Sequence, residues 1–213
     1  MIKDPKMKLV LDFVFKNANE GDPQSVLDTI DRFVQETGTF LMNVGPEKGK
    51  LLSKTITEIK PAKALELGSF LGYSAIIIAM FLPEKGSLIS IDHDKDSVET
   101  SNKIVKFSGL DDKVQFINSK SDQAIRTLQE SFDFVFIDHE KKLYYSDLLL
   151  LEELNLINKG AVVFADNVGI FQDKMKNYFS HVRDSGRYDS KNIGAKLEYR
   201  NNIYDAVEIS KFN

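Results

Sequence analysis

The sequence of 213 residues contains no cysteine, which excludes disulfides, thiolate metal sites and cysteine nucleophiles. It also lacks linkers rich in Pro, Gly or Ser, low-complexity tracts and internal repeats, so we expect one domain over 1–213. No apolar run is long enough to span a membrane. Lysines precede the apolar run Leu9-Val10-Leu11, but Asp12 interrupts this run and no small-residue cleavage pattern follows it. These absences predict a cytoplasmic protein without a membrane partner.

An excess of basic residues is also missing, because the formal net charge is -4. A nucleic-acid partner is therefore disfavoured, since a protein that binds phosphate backbones usually carries a basic surface. Hydrophobic residues make up 42% of the chain and charged residues 28%. This composition is ordinary for a globular protein that buries a sizeable core.

The order of apolar patterns predicts an α/β fold. Residues 1–60 are predicted to be helical, with an N-cap at Asp22-Pro23 and a further helix over 47–59 that Pro61 ends. Strands are then predicted at 64–67, 88–91, 114–117, 134–137 and 161–165. Helices are predicted from 73 and over 97–107, 123–129, 147–157 and 173–184. Five strands with helical crossovers imply a mainly parallel, doubly wound sheet. Segments 196–199 and 203–209 predict a terminal antiparallel pair joined through Asn201-Asn202.

Two buried-type strands end in oxygen-bearing side chains. The apolar run 134–137 is followed by Asp138, and the run 161–165 is followed by Asp166 and Asn167. The carboxyl ends of parallel strands meet at one edge of a sheet, so these two carboxylates and one amide are expected side by side. Magnesium prefers such hard oxygen ligands. His93, His139 and His181 could instead suggest zinc, but they are scattered and oxygen ligands dominate.

A glycine-bearing turn follows the first predicted strand. The motif runs from Glu66 to Gly72 with glycines only at Gly68 and Gly72, so it is G-x-x-x-G and not the dinucleotide fingerprint G-x-G-x-x-G. Asp92 ends the next strand, where an acid can accept hydrogen bonds from ribose hydroxyls. The pattern favours a cationic nucleoside ligand without a diphosphate, such as S-adenosylmethionine. A purely structural turn and a solvated acid at Asp92 are the competing interpretations.

Seven blocks, in order along almost the whole chain, carry a resemblance to a known family. They are Gly21-Asp22-Pro23-Gln24-Ser25-Val26-Leu27, Met42-Asn43-Val44-Gly45, Leu65-Glu66-Leu67-Gly68, Gly72-Tyr73-Ser74-Ala75, Asp138-His139, Ala165-Asp166-Asn167-Val168 and Leu197-Glu198-Tyr199. The chain resembles the catechol O-methyltransferases, and more broadly the small magnesium-dependent class I O-methyltransferases. The resemblance implies a Rossmann-like class I methyltransferase fold, with a mostly parallel seven-stranded sheet, a C-terminal antiparallel strand pair and helices on both faces. The helices of 1–60 would form part of the active-site cover.

The resemblance also assigns residues to roles. It implies S-adenosylmethionine and Mg²⁺ as cofactors, Lys141 as the catalytic base, and Glu198 as the group that holds the second acceptor hydroxyl. The implied metal ligands are Asp138, Asp166 and Asn167. The implied cofactor contacts are Met42, Val44, Glu66, Gly68, Phe70, Tyr73, Ser74, Asp92, His93, Ser121, Asp122, Asp138 and His139. The implied substrate contacts are Phe40, Met42, Lys141, Asn167 and Glu198.

The chain departs from the family pattern at several positions around the pocket. Phe40 and Glu140 stand where the family usually has tryptophan, Phe70 replaces a tyrosine, Lys142 replaces an acid, and the stretch 168–172 lacks the family's proline. These departures put the acceptor in question more than the chemistry. A catechol is the expected small-molecule acceptor, and a bulkier acceptor such as a caffeoyl thioester or a flavonoid is the alternative.

Two further alternatives bear on the functional class. A non-catalytic cofactor-binding module is disfavoured by the complete set of implied catalytic residues. A nucleic-acid methyltransferase is disfavoured by the charge and by the absence of an Asn/Asp-Pro-Pro-aromatic motif. The expected assembly is a monomer or a homodimer.

Overall fold

The computed structural model describes residues 2–213, so Met1, which opens the predicted domain, lies outside the described residues. Three helices come first: α1 (Pro5–Asn17), α2 (Pro23–Thr37) and α3 (Gly45–Ile59). The predicted N-cap at Asp22 is present, and its side chain accepts a hydrogen bond from the backbone N–H of Ser25.

Strands and helices then alternate along the chain. The strands are β1 (Lys63–Leu67), β2 (Ser87–Asp92), β3 (Val114–Asn118), β4 (Phe132–Ile137), β5 (Ile157–Ala165), β6 (Tyr188–Leu197) and β7 (Arg200–Phe212). The helices between them are α4 (Tyr73–Phe81), α5 (Lys95–Phe107), α6 (Ser121–Ile125), α7 (Tyr144–Glu153) and α8 (Lys176–Asp184), with short 3₁₀ turns at Lys141–Leu143 and Gln172–Lys174.

The seven strands form one sheet in the order β3-β2-β1-β4-β5-β7-β6. The first five pair in parallel, whereas β7 is antiparallel to both β5 and β6. The strand order reverses direction between β1 and β4, which is where open α/β sheets bind ligands. The predicted fold class is thus confirmed.

The helices cover both faces of the sheet because neighbouring strand residues point to opposite sides. Phe134 and Phe136 pack into one core with the first five helices, whereas Val135 and Ile137 pack into a second core with α7 and α8. Strands buried on both faces are apolar at nearly every position, as β4 is.

Three details of the sequence prediction were wrong. The helix predicted over 147–157 ends at Glu153, and Ile157 already belongs to β5. The helix predicted over 123–129 is only the five residues of α6. The terminal hairpin turns at Glu198 and Tyr199, while Asn201 and Asn202 lie within β7.

Candidate functional site

The carboxyl ends of β4 and β5 bring two acidic residues to one edge of the sheet. Ile137 and Ala165 are register partners, and Asp138 and Asp166 follow them directly. The backbone N–H of Asp138 donates to Leu67 (2.9 Å), and that of Asp166 donates to Ile137 (3.0 Å). The interstrand hydrogen bonding therefore continues up to the first residue of the site.

A buried acidic cluster lies at this edge. Asp166, Glu198 and Asp205 each offer a carboxylate oxygen within 4.8 Å of the other two. Asp166 and Asp205 are fully buried, and Glu198 is 3% exposed. The sequence analysis singled out the first two acids and missed Asp205, which lies within β7.

Asn167 belongs to the same cluster. Its amide nitrogen donates to Oε1 of Glu198 (2.9 Å) and to Oδ2 of Asp205 (3.0 Å). Asp138 lies nearby, because its charge contributes to raising the pKa of Asp166 and of Glu198. Asp138 forms an ion pair with Lys141, whereas the three clustered acids share Lys48.

Lys48 is the second residue that the sequence analysis missed. Its ammonium is buried among the acids, 2.6 Å from Oδ1 of Asp166 and 2.8 Å from Oδ2 of Asp205, and in contact with Glu198. Lys48 stands four residues after Val44 and four before Leu52, both buried. A lysine at that spacing falls on the apolar face of α3, and this is the signal that could have found it.

The electrostatics of the cluster follow from burial and from its one ammonium group. Burial, followed by the neighbouring acids, raises the pKa of Asp166 well above its usual range. Burial alone would lower the pKa of Lys48, but the three carboxylates together raise it, so the ammonium stays charged. Burial alone would raise the pKa of Asp205. The charge and hydrogen bond of Lys48, together with the hydrogen bond from Asn167, lower this pKa below its ordinary value.

Lys141 lies in the 3₁₀ turn that follows β4. Its ammonium donates to Oδ1 of Asp138 (2.7 Å) and to the hydroxyl of Tyr144 (2.8 Å). Tyr144 is buried and donates in turn to the backbone carbonyl of Asp166 (3.1 Å). Lys141 is thus held at the entrance of the acidic cluster by a tyrosine that contacts the cluster's own backbone.

A cleft runs along the ends of β1, β2 and β4, beside the acidic cluster. It has one cavity of about 410 Å³ and an adjoining one of about 210 Å³. Both cavities are lined by Gly68, Asp92, His93, His139 and Glu140. Of the other predicted cofactor contacts, Ser121 and Asp122 line the larger cavity, and Met42, Phe70, Tyr73, Ser74 and Asp138 line the smaller one.

Asp92 shapes the glycine-bearing loop at the centre of the cleft. Its Oδ2 accepts from the backbone N–H groups of Ser69 (2.9 Å) and Phe70 (3.2 Å), and its Oδ1 accepts from the backbone of Asp94 (2.9 Å). A carboxylate oxygen can accept two hydrogen bonds, so Oδ1 keeps capacity for a ligand hydroxyl. The structural and the ligand-binding interpretations of Asp92 are therefore compatible.

Two predicted cofactor contacts, Glu66 and Val44, line neither cavity of the cleft. Glu66 is fully buried and accepts hydrogen bonds from the hydroxyls of Ser74 (2.5 Å) and Ser90. Burial, as the largest cause, raises the pKa of Glu66 to about 7. Val44 is buried in the core and lines a separate cavity next to Lys48 and Glu198. Direct contact of either residue with a cofactor stays a prediction.

Two of the predicted acceptor contacts, Met42 and Phe40, have these surroundings. Met42 is 38% exposed, and the guanidinium of Arg200 lies over the ring of Phe40, 5.3 Å from its centroid. The ammonium of Lys141 lies 5.8 Å from the ring centroid of Phe171. Met42 therefore lines the smaller cavity of the cleft together with Asp138, and the ring of Phe171 lies near Lys141.

The histidines have separate partners. His139 is 2.6 Å from Asp147, His181 is 2.7 Å from Glu152, and the side chain of His93 is largely exposed beside Asp92. Among residues 2–213, the group of potential ligands that converges contains no histidine. The site offers oxygen atoms, which suit magnesium better than zinc.

Three strained backbone positions lie at the site. Five non-glycine residues of the described chain have positive φ, and three of them are Phe70 (46°), Asn167 (55°) and Tyr199 (55°). Phe70 belongs to the cleft loop, Asn167 to the acidic cluster, and Tyr199 follows Glu198. Strain of this kind concentrates at functional sites, and here it accompanies all three parts of the site.

Comparison with known proteins decides the family. A family model described as O-methyltransferase matches residues 17–183. The chain belongs to the O-methyltransferase family. Over its whole length it is 36% identical to catechol O-methyltransferase B of Danio rerio, of which it covers 81%. It is 36% identical to the catechol O-methyltransferase of Mus musculus over 95% of this chain and 77% of that one.

A bacterial relative and two solved structures complete the comparison. A probable O-methyltransferase of Mycobacterium tuberculosis is 33% identical over 99% of this chain and 94% of its own. The O-methyltransferase TomG of Streptomyces achromogenes, solved in complex with SAM, superposes over 100% of both chains with a TM-score of 0.78 at 20% identity. An O-methyltransferase of Bacillus cereus in complex with SAH covers 88% of this chain and 90% of its own, with a TM-score of 0.76 at 18% identity.

Some relatives of this chain are named transmembrane O-methyltransferases. The one from Homo sapiens is 32% identical over 83% of this chain and 62% of the human protein. Within residues 2–213 we find no helix with the length and apolar character that a membrane crossing requires. The predicted resemblance is confirmed by the family match and by the identity to the catechol O-methyltransferases over most of the chain.

Proposed function

We propose that this O-methyltransferase transfers the methyl group of S-adenosylmethionine to one hydroxyl of a catechol or related vicinal diphenol, with Mg²⁺ as its metal. One observation carries the proposal: Oδ2 of Asp166 and Oε2 of Glu198 are buried and have no hydrogen-bond partner. Unpaired buried carboxylate oxygens are costly unless a ligand completes them. The similarity to catechol O-methyltransferases over the full chain supports the choice of acceptor.

The residues present fit a magnesium ion. Asp138, Asp166 and Asn167 would hold it, with carboxylate and amide oxygens as ligands. When bound, Mg²⁺ would act as a Lewis acid that favours the ionised form of the acceptor hydroxyl. The four nearby carboxylates, of Asp138, Asp166, Glu198 and Asp205, outnumber the two ammonium groups of Lys48 and Lys141. The formal charge of minus two that remains matches a divalent cation.

The chain's own residues then bind, orient and deprotonate the acceptor. Oε2 of Glu198 would accept a hydrogen bond from the second hydroxyl, which fixes the ring in one orientation. As a general base, Lys141 would act in its neutral amine form and accept the proton of the reacting hydroxyl at Nζ. The acceptor oxygen then forms a bond to the methyl carbon as the carbon–sulfur bond of S-adenosylmethionine breaks.

The cleft would hold S-adenosylmethionine. Asp92 offers Oδ1 to a ribose hydroxyl, and the loop that carries Gly68 and Phe70 allows close backbone approach. The acids that border the cleft, Asp92 and Asp138, favour a cationic ligand over a diphosphate. Holding the two reactants in line contributes about 7–11 kcal/mol in favourable cases, which exceeds a typical general-base contribution.

The deciding experiment measures methyl transfer from S-adenosylmethionine to catechol, with Mg²⁺ and again with excess EDTA. We expect turnover that chelation abolishes and added Mg²⁺ restores. Unchanged turnover in EDTA would reject the metal. Absence of turnover with catechol, together with turnover of a caffeoyl thioester or a flavonoid, would move the acceptor to the bulkier class, which the exposure of Met42 and Ile170 (38% each) would accommodate.

A further inference from the structure

Lys48 forms ion pairs with three acids, Asp166, Glu198 and Asp205. In Asp166 and in Glu198 it contacts only one of the two carboxylate oxygens. It contacts Oδ1 of Asp166 and Oε1 of Glu198, and in both carboxylates the second oxygen is buried without a partner. One ammonium therefore determines which oxygen of each acid is available for a ligand. A lysine is almost never fully buried unless it is paired, and this one has no exposed side-chain surface.

The surrounding groups hold Lys48 in a fixed place. Oδ2 of Asp205 lies 2.8 Å from its ammonium. The other oxygen of Asp205, Oδ1, accepts from the backbone N–H groups of Gly169 (3.2 Å) and Ile170 (3.0 Å). Asp205 thus connects Lys48 to the loop that follows Asn167, and it has no oxygen left without a partner.

Asn167 is oriented by the same arrangement. Its amide nitrogen donates to Oε1 of Glu198 and to Oδ2 of Asp205, the two oxygens that Lys48 also contacts. With the nitrogen committed to the acids, the amide oxygen is the atom that remains for a metal. Lys48 therefore contacts one proposed metal ligand directly and a second one through shared acceptors.

We infer that Lys48 is a positioning residue, which presents Oδ2 of Asp166 and the amide oxygen of Asn167 to a divalent cation and Oε2 of Glu198 to the acceptor. This inference rests on the proposed function. A simple counter-ion would act in the opposite direction, because removing a positive charge from the cluster would strengthen its attraction for a cation. The two roles therefore predict opposite changes in metal affinity.

The test compares Lys48→Met, which removes the charge, and Lys48→Arg, which keeps the charge but changes its shape. The matched control is Lys50→Met, an exposed lysine on the same helix. Binding of Mn²⁺, which takes the same oxygen ligands as Mg²⁺, is measured by electron paramagnetic resonance without acceptor. S-adenosylmethionine binding and thermal unfolding are measured on every variant.

We expect both Lys48 variants to bind Mn²⁺ at least about tenfold more weakly than wild type, as when outer partners of metal ligands are removed. Binding of S-adenosylmethionine should change less than about twofold, and Lys50→Met should match wild type. Tighter or unchanged Mn²⁺ binding in Lys48→Met, or wild-type binding in Lys48→Arg, would overturn the inference. If only the Met variant fails to fold, the Arg variant decides.

If neither Lys48 variant folds, Lys48 maintains the fold instead of the ligands, and the inference is likewise overturned. Wild-type protein that binds no Mn²⁺ would overturn the proposed function itself, and the inference with it. Wild-type protein that binds Mn²⁺ and methylates catechol, while both variants bind Mn²⁺ normally, would reject the inference alone.

Discussion

At the scale of single residues, Glu66 shows how burial changes the behaviour of an acid. It has no exposed surface, and both of its oxygens accept from serine hydroxyls. Burial, more than the charges of Asp138 and Asp92, raises its pKa from the ordinary 4.5 to about 7. The two serine hydrogen bonds oppose this increase, but they do not cancel it.

The raised pKa of Glu66 predicts a pH dependence of stability. Between about pH 4.5 and pH 7 the folded chain retains a proton that the unfolded chain has released, so raising the pH favours unfolding. This contribution is fully present below pH 4.5 and is lost as the pH rises to about 7. We expect Glu66→Gln to remove up to about 3 kcal/mol of this pH dependence, measured by urea unfolding at pH 5 and pH 7.5.

Glu20→Gln, which removes an exposed acid, is the control and should keep the wild-type pH dependence. A Glu66→Gln variant whose unfolding free energy still falls as steeply as that of wild type would contradict the prediction.

At the scale of elements, the loop between β1 and α4 depends on Gly68. Its φ is +103°, and a Cβ built there would lie 2.5 Å from the backbone carbonyl oxygen of Asp138. Close approach of the two strand ends is therefore possible only without a side chain at this position. The same contact brings the cleft loop next to Asp138, the first proposed metal ligand.

Gly68→Ala separates this steric effect from simple backbone strain when it is compared with Gly160→Ala. Gly160 also has positive φ (+85°), but a Cβ there meets nothing within 4 Å. We expect Gly160→Ala to lower the unfolding free energy by about 1–2 kcal/mol. Gly68→Ala should cost clearly more and should weaken S-adenosylmethionine binding, as measured by urea unfolding and calorimetry. Equal effects of the two variants would show that the close approach is unimportant.

The elements also show what the sequence could and could not predict. The apolar strands and their acidic ends were predictable because each is a four- or five-residue apolar run, too short for a typical helix, that is bounded by polar residues or glycine. The hairpin turn was misplaced because Asn201-Asn202 has the usual turn residues, whereas the chain turns at Tyr199 with positive φ. The end of α7 was missed because the apolar pattern continues through Leu154 and Leu156, while Asn155 leaves the helix with φ of 55°.

The spacing of Lys48 marks it as a buried lysine, but which acids pair with it, Asp205 among them, was beyond prediction from pattern alone for a different reason. Each of Lys48 and Asp205 is a charged residue with a buried side chain, and each is stable there only because distant residues pair with it. The residues next to Lys48 and Asp205 in the sequence do not indicate which distant residues pair with them. The family resemblance predicted the neighbouring site residues, but it assigned no role to Lys48 or Asp205.

At the scale of the whole molecule, Asp31 connects three separate parts of the chain. From α2, its Oδ1 accepts from the hydroxyl of Tyr199 (2.7 Å) and its Oδ2 accepts from the hydroxyl of Tyr73 (3.1 Å). Tyr73 begins α4 directly after the cleft loop, and Tyr199 follows Glu198. One carboxylate of α2, a helix of the predicted cover, therefore forms hydrogen bonds with residues on both sides of the site.

We expect Asp31→Ala to lower the unfolding free energy by about 2–4 kcal/mol, because two partly buried hydroxyls lose a charged acceptor. S-adenosylmethionine binding should weaken as well, since Tyr73 borders the cleft. Asp28→Ala, at an exposed position of the same helix, serves as the control. Urea unfolding and titration calorimetry would measure both effects, and an Asp31 variant as stable as the Asp28 variant would refute the connection.

The acidic cluster also bears on the order in which the protein folds. Lys48 meets Glu198 and Asp205 across 150 and 157 residues of chain, and both acids come from the hairpin of β6 and β7, which joins the sheet beside β5. Contacts this distant in sequence form late, because closing so long a loop is entropically unfavourable. The residues that line the cleft all precede this hairpin, whereas the oxygen cluster is complete only when the hairpin docks against β5.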